Sequence, residues 1–273
     1  LRKRGSYEAA LRQFFETQLA AGLQHVDGLY ALMRNEENSA FADAFALDWI
    51  VRFPQMSAEA ESEILDRLLA TSDGRATLRE IVRDRRAADL NDERRRTWDA
   101  VGIIVDFTET LRSLGDGPGI EPAHFWHLRA RLGDRRHGVP HAQLGVEQLA
   151  WAIATFRSVF PAERRPNTVT PGDTNPWDAT DYLSALINRL GDDASPAATE
   201  ALVALRDAPA DGYTDVLRIA VAEQKRKRVE AEWRSPNLDT VIAVIADRTP
   251  TTAAQFLAVL VDELAVVQAK IRG

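Results

Sequence analysis

The chain has 273 residues, 45% of them hydrophobic and 27% charged, and a formal net charge of −7 at pH 7. That length is enough to bury a sizeable core, and the acidity argues against bulk attraction to nucleic acid or anionic lipid. The complete lack of cysteine excludes a disulfide scaffold, thiolate metal sites and cysteine nucleophiles.

Helical spacing recurs along the whole chain. Tyr7, Leu11, Phe14, Phe15 and Leu19 lie three and four apart and predict a helix over 6–20. After Gly22, the set Leu23, Val26, Leu29, Tyr30 and Met33 predicts a second over 23–34. Helices over 39–53, 57–70 and 73–88 follow. Trp98, Val101, Val105, Thr108 and Leu111 fall on one face and predict a single long helix over 92–114. Helices over 121–133 and 143–159 complete the first half. The β-branched runs Val101–Val105 and Thr240–Ile245 favour strands by propensity, but each sits inside a longer helical pattern and is read as helix.

In the second half the start signals sharpen. Asn175-Pro176, Ser195-Pro196, Ser235-Pro236 and Thr249-Pro250 each pair an N-cap acceptor with proline at the first helical position. Asp178 stands three residues after Asn175, as in a capping box. Helices over 176–190, 196–207, 211–231, 236–247 and 251–272 are expected. The total of about thirteen short helices implies an all-α fold, a degenerate HEAT-like helical-repeat array (an α-solenoid), with an irregular helical bundle as the alternative. The six tryptophans are spaced 49, 28, 25, 26 and 56 residues apart, so no strict repeat period exists. The Pro-rich loop 161–175, carrying Pro161, Pro166, Pro171 and Gly172, divides an N-terminal helical-repeat portion (1–160) from a C-terminal helical portion (176–273). A second break falls at Gly115–Pro122.

Signals of location are few. The longest largely apolar stretch, Leu149–Phe156, is far below the roughly 18 residues of a membrane span, so no membrane partner is expected. The opening Leu-Arg-Lys-Arg runs into Gly5 and Ser6 and does not form a secretory signal, which implies a cytoplasmic setting. A start at Leu1 in place of methionine suggests a piece of a longer protein.

Catalytic signatures are missing from the sequence. There is no Gly-x-x-x-x-Gly-Lys-Ser/Thr phosphate loop, and Gly115, Gly117 and Gly119 follow no predicted strand. No Gly-x-Ser-x-Gly elbow occurs. Four of the five histidines, His124, His127, His137 and His141, fall within eighteen residues, and Glu121 and Asp134 lie nearby. A metal-dependent site there is one reading; capping and packing beside Phe125 and Trp126 is the favoured one, and no metal or cofactor is expected. Asp106 sits among Ile103, Ile104, Val105 and Phe107, either as a buried acid or, as favoured, on a polar face near Glu109.

Arginine outnumbers lysine 30 to 4. Its clusters are interspersed with acids, which points to salt-bridged helix faces more than to a stripe that follows phosphates. Candidate partner contacts are Arg129, Arg131, Arg135 and Arg136, Trp177 at the loop edge, and the run Lys225, Arg226, Lys227 and Arg228. The last four also fit the negative end of their helix.

The segment Asn175-Pro-Trp-Asp-Ala-Thr-Asp-Tyr-Leu-Ser-Ala-Leu-Ile-Asn-Arg-Leu190 resembles a recurrent segment in the C-terminal helical regions of large bacterial NACHT-type (NLR-like) NTPases. Similar again are Ala220-Val-Ala-Glu-Gln224 with Arg226–Arg234 and the Ser235-Pro236 start, and Thr249–Leu257 with the ending Lys270-Ile-Arg-Gly273. Upstream, Asp48-Trp-Ile-Val-Arg-Phe-Pro54 resembles the repeats that precede these segments. The likeness spans residues 43–273 and is best after 170. It implies a sensor in signalling or anti-phage defence, where an NTPase core drives assembly and helical repeats recognise a trigger. The phosphate loop of that family is absent here.

The expected function is therefore that of a non-catalytic sensor or scaffold module that contacts a protein partner or neighbouring domains of the same polypeptide. A nucleic-acid-binding helical domain, or a metal-dependent enzyme around His124–His141, are the alternatives.

Overall fold

A computed structural model describes residues 2–117, 119–132, 143–164, 174–208, 212–234 and 253–272. Among them are thirteen α-helices and no strand. They are α1 (Arg2–Ala20), α2 (Leu29–Arg34), α3 (Ser39–Arg52), α4 (Ala58–Ala70), α5 (Ser72–Ala87), α6 (Asp92–Val105), α7 (Phe107–Gly115), α8 (Pro122–Leu132), α9 (Val146–Val159), α10 (Pro176–Asp192), α11 (Pro196–Asp207), α12 (Thr214–Arg234) and α13 (Ala253–Arg272).

Caps account for many of the starts. Ser57 Oγ accepts from the Ala60 N–H at 3.2 Å, Thr71 Oγ1 from Gly74 at 3.1 Å, and Asn91 Oδ1 from Arg94 at 2.9 Å. Asn175 and Ser195 do the same ahead of Pro176 and Pro196, accepting from Asp178 and Ala198. Asp178 completes the motif differently from a standard capping box: its carboxylate accepts from the Asn175 side-chain amide at 2.8 Å. The other two proline-led starts, Ser235-Pro236 and Thr249-Pro250, and the helix expected over 236–247 lie outside the described residues.

Two expected helices are corrected. The second is shorter, because Gly22 and Gly28 both take positive φ (62° and 76°) and the chain turns until Leu29. The long helix over 92–114 is two helices, broken at Asp106 (φ −144°, ψ 62°). Trp98, Val101 and Val105 are buried on α6, whereas Thr108 on α7 is exposed. A Cβ at Gly102 would lie 2.5 Å from Thr110 Oγ1, so glycine permits α7 to fold back against α6. The carbonyls freed by the break are satisfied from elsewhere. Arg79 donates to Val105 O at 2.6 Å, and Gln148 of α9 donates to Ile103 O and Ile104 O at 2.7 and 3.0 Å. Asp106 is a half-buried corner residue and lines a polar cavity together with Glu109.

Packing runs mainly between neighbours and next neighbours in the chain. α3 packs on α4 and α5, α6 on α8, α9 on α10 and α11, and α10 on α12, with α4–α8 a longer step. This is a degenerate stack of helix pairs. One connected apolar core runs from Phe15 to Ala220. Trp49 stacks on Phe45 (4.8 Å between centroids) and leans on Phe15 (5.7 Å). Phe125 of α8 meets Phe156 (5.2 Å), Phe160 (5.0 Å) and Tyr182 (5.9 Å), and so joins α8 to helices on both sides of the Pro-rich loop. Full burial of each such side chain stabilises by roughly 1.5–3 kcal/mol.

Arginine supplies the polar ties of the first eight helices. Several guanidinium groups donate to carbonyls at or just beyond the C-terminus of a neighbouring helix, where no intrahelical donor remains. Arg67 reaches Met33 O at 3.3 Å, Arg75 reaches Leu69 O at 2.8 Å, and Arg85 reaches Ile50 O. Others pair across helices with acids: Arg67 with Asp43 (2.6 Å), Arg94 with Glu61 (2.7 Å) and Arg34 with Glu63 (3.3 Å). Glu61, 2% exposed, also accepts from Trp98 Nε1 at 3.2 Å.

Candidate functional site

A groove of about 820 Å³ lies between α9 and α11. Its form follows from residue size. α9 turns Leu149, Ala152, Ile153 and Phe156 into the core, and α11 turns in Ala198, Leu202 and Leu205. The groove side of α9 then presents Ala150 and Ala154, and that of α11 presents Ala201 and Ala204, with Ala208 just beyond. Methyl groups at these spacings make a shallow floor on which another backbone can lie close. Trp151, Leu205 and Pro161 form the walls, and Arg157, Ser158, Glu163 and Arg164 line it further. Arg157 is buried and donates to Leu205 O at 2.7 Å, which ties the two helices together beneath the groove.

A second cavity, about 300 Å³, is polar and lies among α5, α6 and α7, lined by Arg83, Arg86, Arg95, Asp99, Asp106 and Glu109 among others. Arg86 Nε donates to Asp99 at 2.6 Å, and the other Asp99 oxygen stands 3.3 Å from His124 Nε2. Burial raises the pKa of Asp99, but hydrogen bonds from His124 and Arg86 outweigh it and hold the carboxyl below its ordinary value. His124 Nδ1 stands 3.0 Å from the Glu121 N–H and 3.3 Å from Glu121 O at the start of α8, and Nε2 faces Asp99 of α6.

The residues singled out in the sequence are scattered by the fold. Arg131 is buried: it donates to Ser62 O at 2.9 Å and stands 2.8 Å from Asp66 Oδ1, an ion pair whose N–H points elsewhere. A partner's surface cannot reach it. Burial raises Asp66 despite Arg131 and Arg34, and raises Glu63 likewise. Arg129 is half-buried over the rings of Trp126 (5.7 Å) and Tyr182 (5.4 Å). Trp177 is half-buried in the first turn of α10. Lys225 and Arg226 are exposed on α12, Arg226 pairs with Glu223 at 2.7 Å, and Lys227 pairs with Asp192 of α10. Arg135, Arg136, His137, His141, Asp134 and the Arg228 side chain lie outside the described residues. His127 is half-buried, with its pKa lowered mainly by burial and by Arg131, against Glu93. Among the described residues, no three His, Asp or Glu side chains converge as metal ligands would, and no helix is long and apolar enough to cross a membrane.

The groove residues carried no chemical signal in the sequence. The one legible trace was alanine recurring at 150 and 154 and at 201, 204 and 208, a spacing that equally suits an ordinary buried helix.

No family model, curated protein or solved structure matches the chain.

Proposed function

We propose that the chain is a non-catalytic helical-repeat module that recognises a protein partner or holds neighbouring domains. On the resemblance of its C-terminal segments, its setting is a larger bacterial NACHT-type signalling or anti-phage defence NTPase in the cytoplasm. The observation that supports this reading is the open alanine-floored groove between α9 and α11. Apolar walls, a floor without long side chains and a charged rim suit an amphipathic helix laid into a groove. The polar cavity offers less, because its central acid is already bound by Arg86 and His124.

The test is substitution of Ala154→Arg and Ala204→Arg in the parent protein, with trigger-dependent assembly as the readout. Recognition is expected to fall at least tenfold while the far-UV circular dichroism stays unchanged. Unimpaired assembly in both variants would refute the reading. Neutralising Lys225 and Arg226 is expected to leave assembly intact. If it instead abolishes a salt-sensitive RNA or DNA affinity, a nucleic-acid role is favoured.

A further inference from the structure

Among the described residues, two surfaces lack a cover, and their side chains are complementary in size. One is the α9–α11 groove. The other is α13. It carries Leu257, Val261, Leu264 and Val266, each more than half exposed, and α13 is absent from the helix pairs that pack extensively among the described residues. Leu257, Val261 and Leu264 follow the i, i+4, i+7 pattern of one helical ridge. A helix this rich in apolar residues is stable in water only when that ridge is covered.

The dimensions agree. From Leu257 to Leu264 the ridge rises about 10.5 Å, and from Ala201 to the end of α11 at Asp207 the groove floor rises about 9 Å, both at 1.5 Å per residue. Large side chains on one helix meet methyl groups on the other two, the pairing of large with small that interdigitates. The rim is mixed in charge: Asp262 is exposed beside the ridge, and Arg164 is exposed at the groove rim together with Glu163. Among the described residues both surfaces stay bare.

We infer that the groove receives α13 of a second copy of this chain, so that two copies exchange these helices in a closed, two-fold pair. Reciprocal exchange fills both grooves and covers both ridges, and leaves no open surface to propagate a filament. The inference rests on the groove being a helix receptor, and it names the occupant. In a sensor of this kind, self-association through α13 and capture of a foreign helix compete for one site.

Sedimentation velocity on the full chain tests it. Each contact is short, so association is weak, with a midpoint in the micromolar range. The 30.3 kDa chain is expected to double its mass between about 1 and 100 µM, on either side of that midpoint. Ala204→Arg and Val261→Asp are both expected to stay monomeric. Both positions are exposed, and circular dichroism checks that both variants fold. A labelled peptide of residues 253–272 is expected to bind the V261D chain, whose groove is intact, and to bind the A204R chain at least tenfold more weakly.

A wild-type chain that stays monomeric overturns the inference, and so does a dimer that persists in A204R. Peptide binding to V261D beside a monomeric wild type overturns it in favour of closure within one chain. These failures are separable from failure of the receptor role. A monomeric wild type whose parent still loses recognition through A204R keeps the receptor and loses only this occupant.

Discussion

The stack of α1–α8 and the stack of α9–α12 are built from the same kind of helix and held by different forces. In the first, guanidinium groups cross between helices to buried or half-buried acids and to carbonyls at helix ends. Arg94–Glu61, Arg86–Asp99–His124 and Arg131–Ser62–Asp66 are the examples with the least solvent access. In the second, alanine and leucine do most of the packing. Besides the exposed Lys227–Asp192 pair, several of its polar ties reach carbonyls at or near helix ends: Arg157 to Leu205 O, Tyr213 to Phe160 O at 2.7 Å, and Gln224 to Asp193 O. The difference bears on where the proposed contact surface lies. In the sequence the arginine clusters read mostly as salt-bridged helix faces, with Arg129, Arg131, Arg135 and Arg136 as candidate contacts, and much of the charge in α1–α8 is consumed between helices. The alanine-rich region looks inert, and it keeps an open groove.

The largest effect is expected where a buried ion pair is broken. Asp99→Ala removes the acceptor for both Arg86 and His124 and leaves a poorly solvated guanidinium, at a cost of about 3–5 kcal/mol in urea unfolding. A loss below 1 kcal/mol would mean that solvent reaches Arg86 easily and that the first stack is not held as described.

Next come the end-capping arginines, one from each stack. Arg85→Met and Arg157→Met each strand a carbonyl at a helix end, and each is expected to cost about 1–3 kcal/mol. Equal losses would place Arg157 among the structural arginines of the first stack, despite its position in the groove lining. If R157M is neutral while peptide binding falls, Arg157 is a contact residue.

A pH titration separates the stacks more finely. The folded pKa of His127 is lowered, so the unfolded chain takes up the proton first. The stability this group contributes is present above its unfolded value of about 6.5 and is lost as pH falls through the interval down to the folded value. His25 has the opposite sign, since its hydrogen bond with Glu59 raises its pKa. Replacing His127 by Gln is therefore expected to flatten the stability profile between about pH 7 and 5, the interval around the ordinary histidine value. The sequence places no histidine in α9–α12. Amide exchange there should be unchanged by this substitution, and a change would show that the two stacks open together.

The smallest effect on stability is expected in the groove. Ala154→Arg and Ala204→Arg place a good helix former at exposed positions and should shift stability by no more than about 0.5 kcal/mol. A large loss there would mean that the floor is packed more tightly than its open form suggests.

The all-α class and many of the boundaries were legible in the sequence, because caps and apolar spacing are local signals. Asn175 and Ser195 acted as read; of the apolar set in α1, Leu11, Phe15 and Leu19 face the core, whereas Tyr7 and Phe14 are exposed. The corner at Asp106 was not legible. Its causes are the Gly102–Thr110 approach and the donors Arg79 and Gln148, which only tertiary structure brings together. The role of each arginine was hidden for the same reason. Arg131 and Arg129 are two residues apart, yet one is buried against Ser62 and the other lies over Trp126 and Tyr182. The groove escaped notice because it is defined by what alanine lacks, and a missing side chain leaves no chemical mark.

Hydrogen exchange measured on the full chain below and above its association midpoint is the most direct test that the groove, and not the arginine-rich helices, is the contact surface. Slower exchange at high concentration is expected in 150–158, 201–208 and 257–264, with 83–96 and 129–131 unchanged. Protection that appears instead on the arginine segments or on 225–228, or on none of the chain, would contradict it.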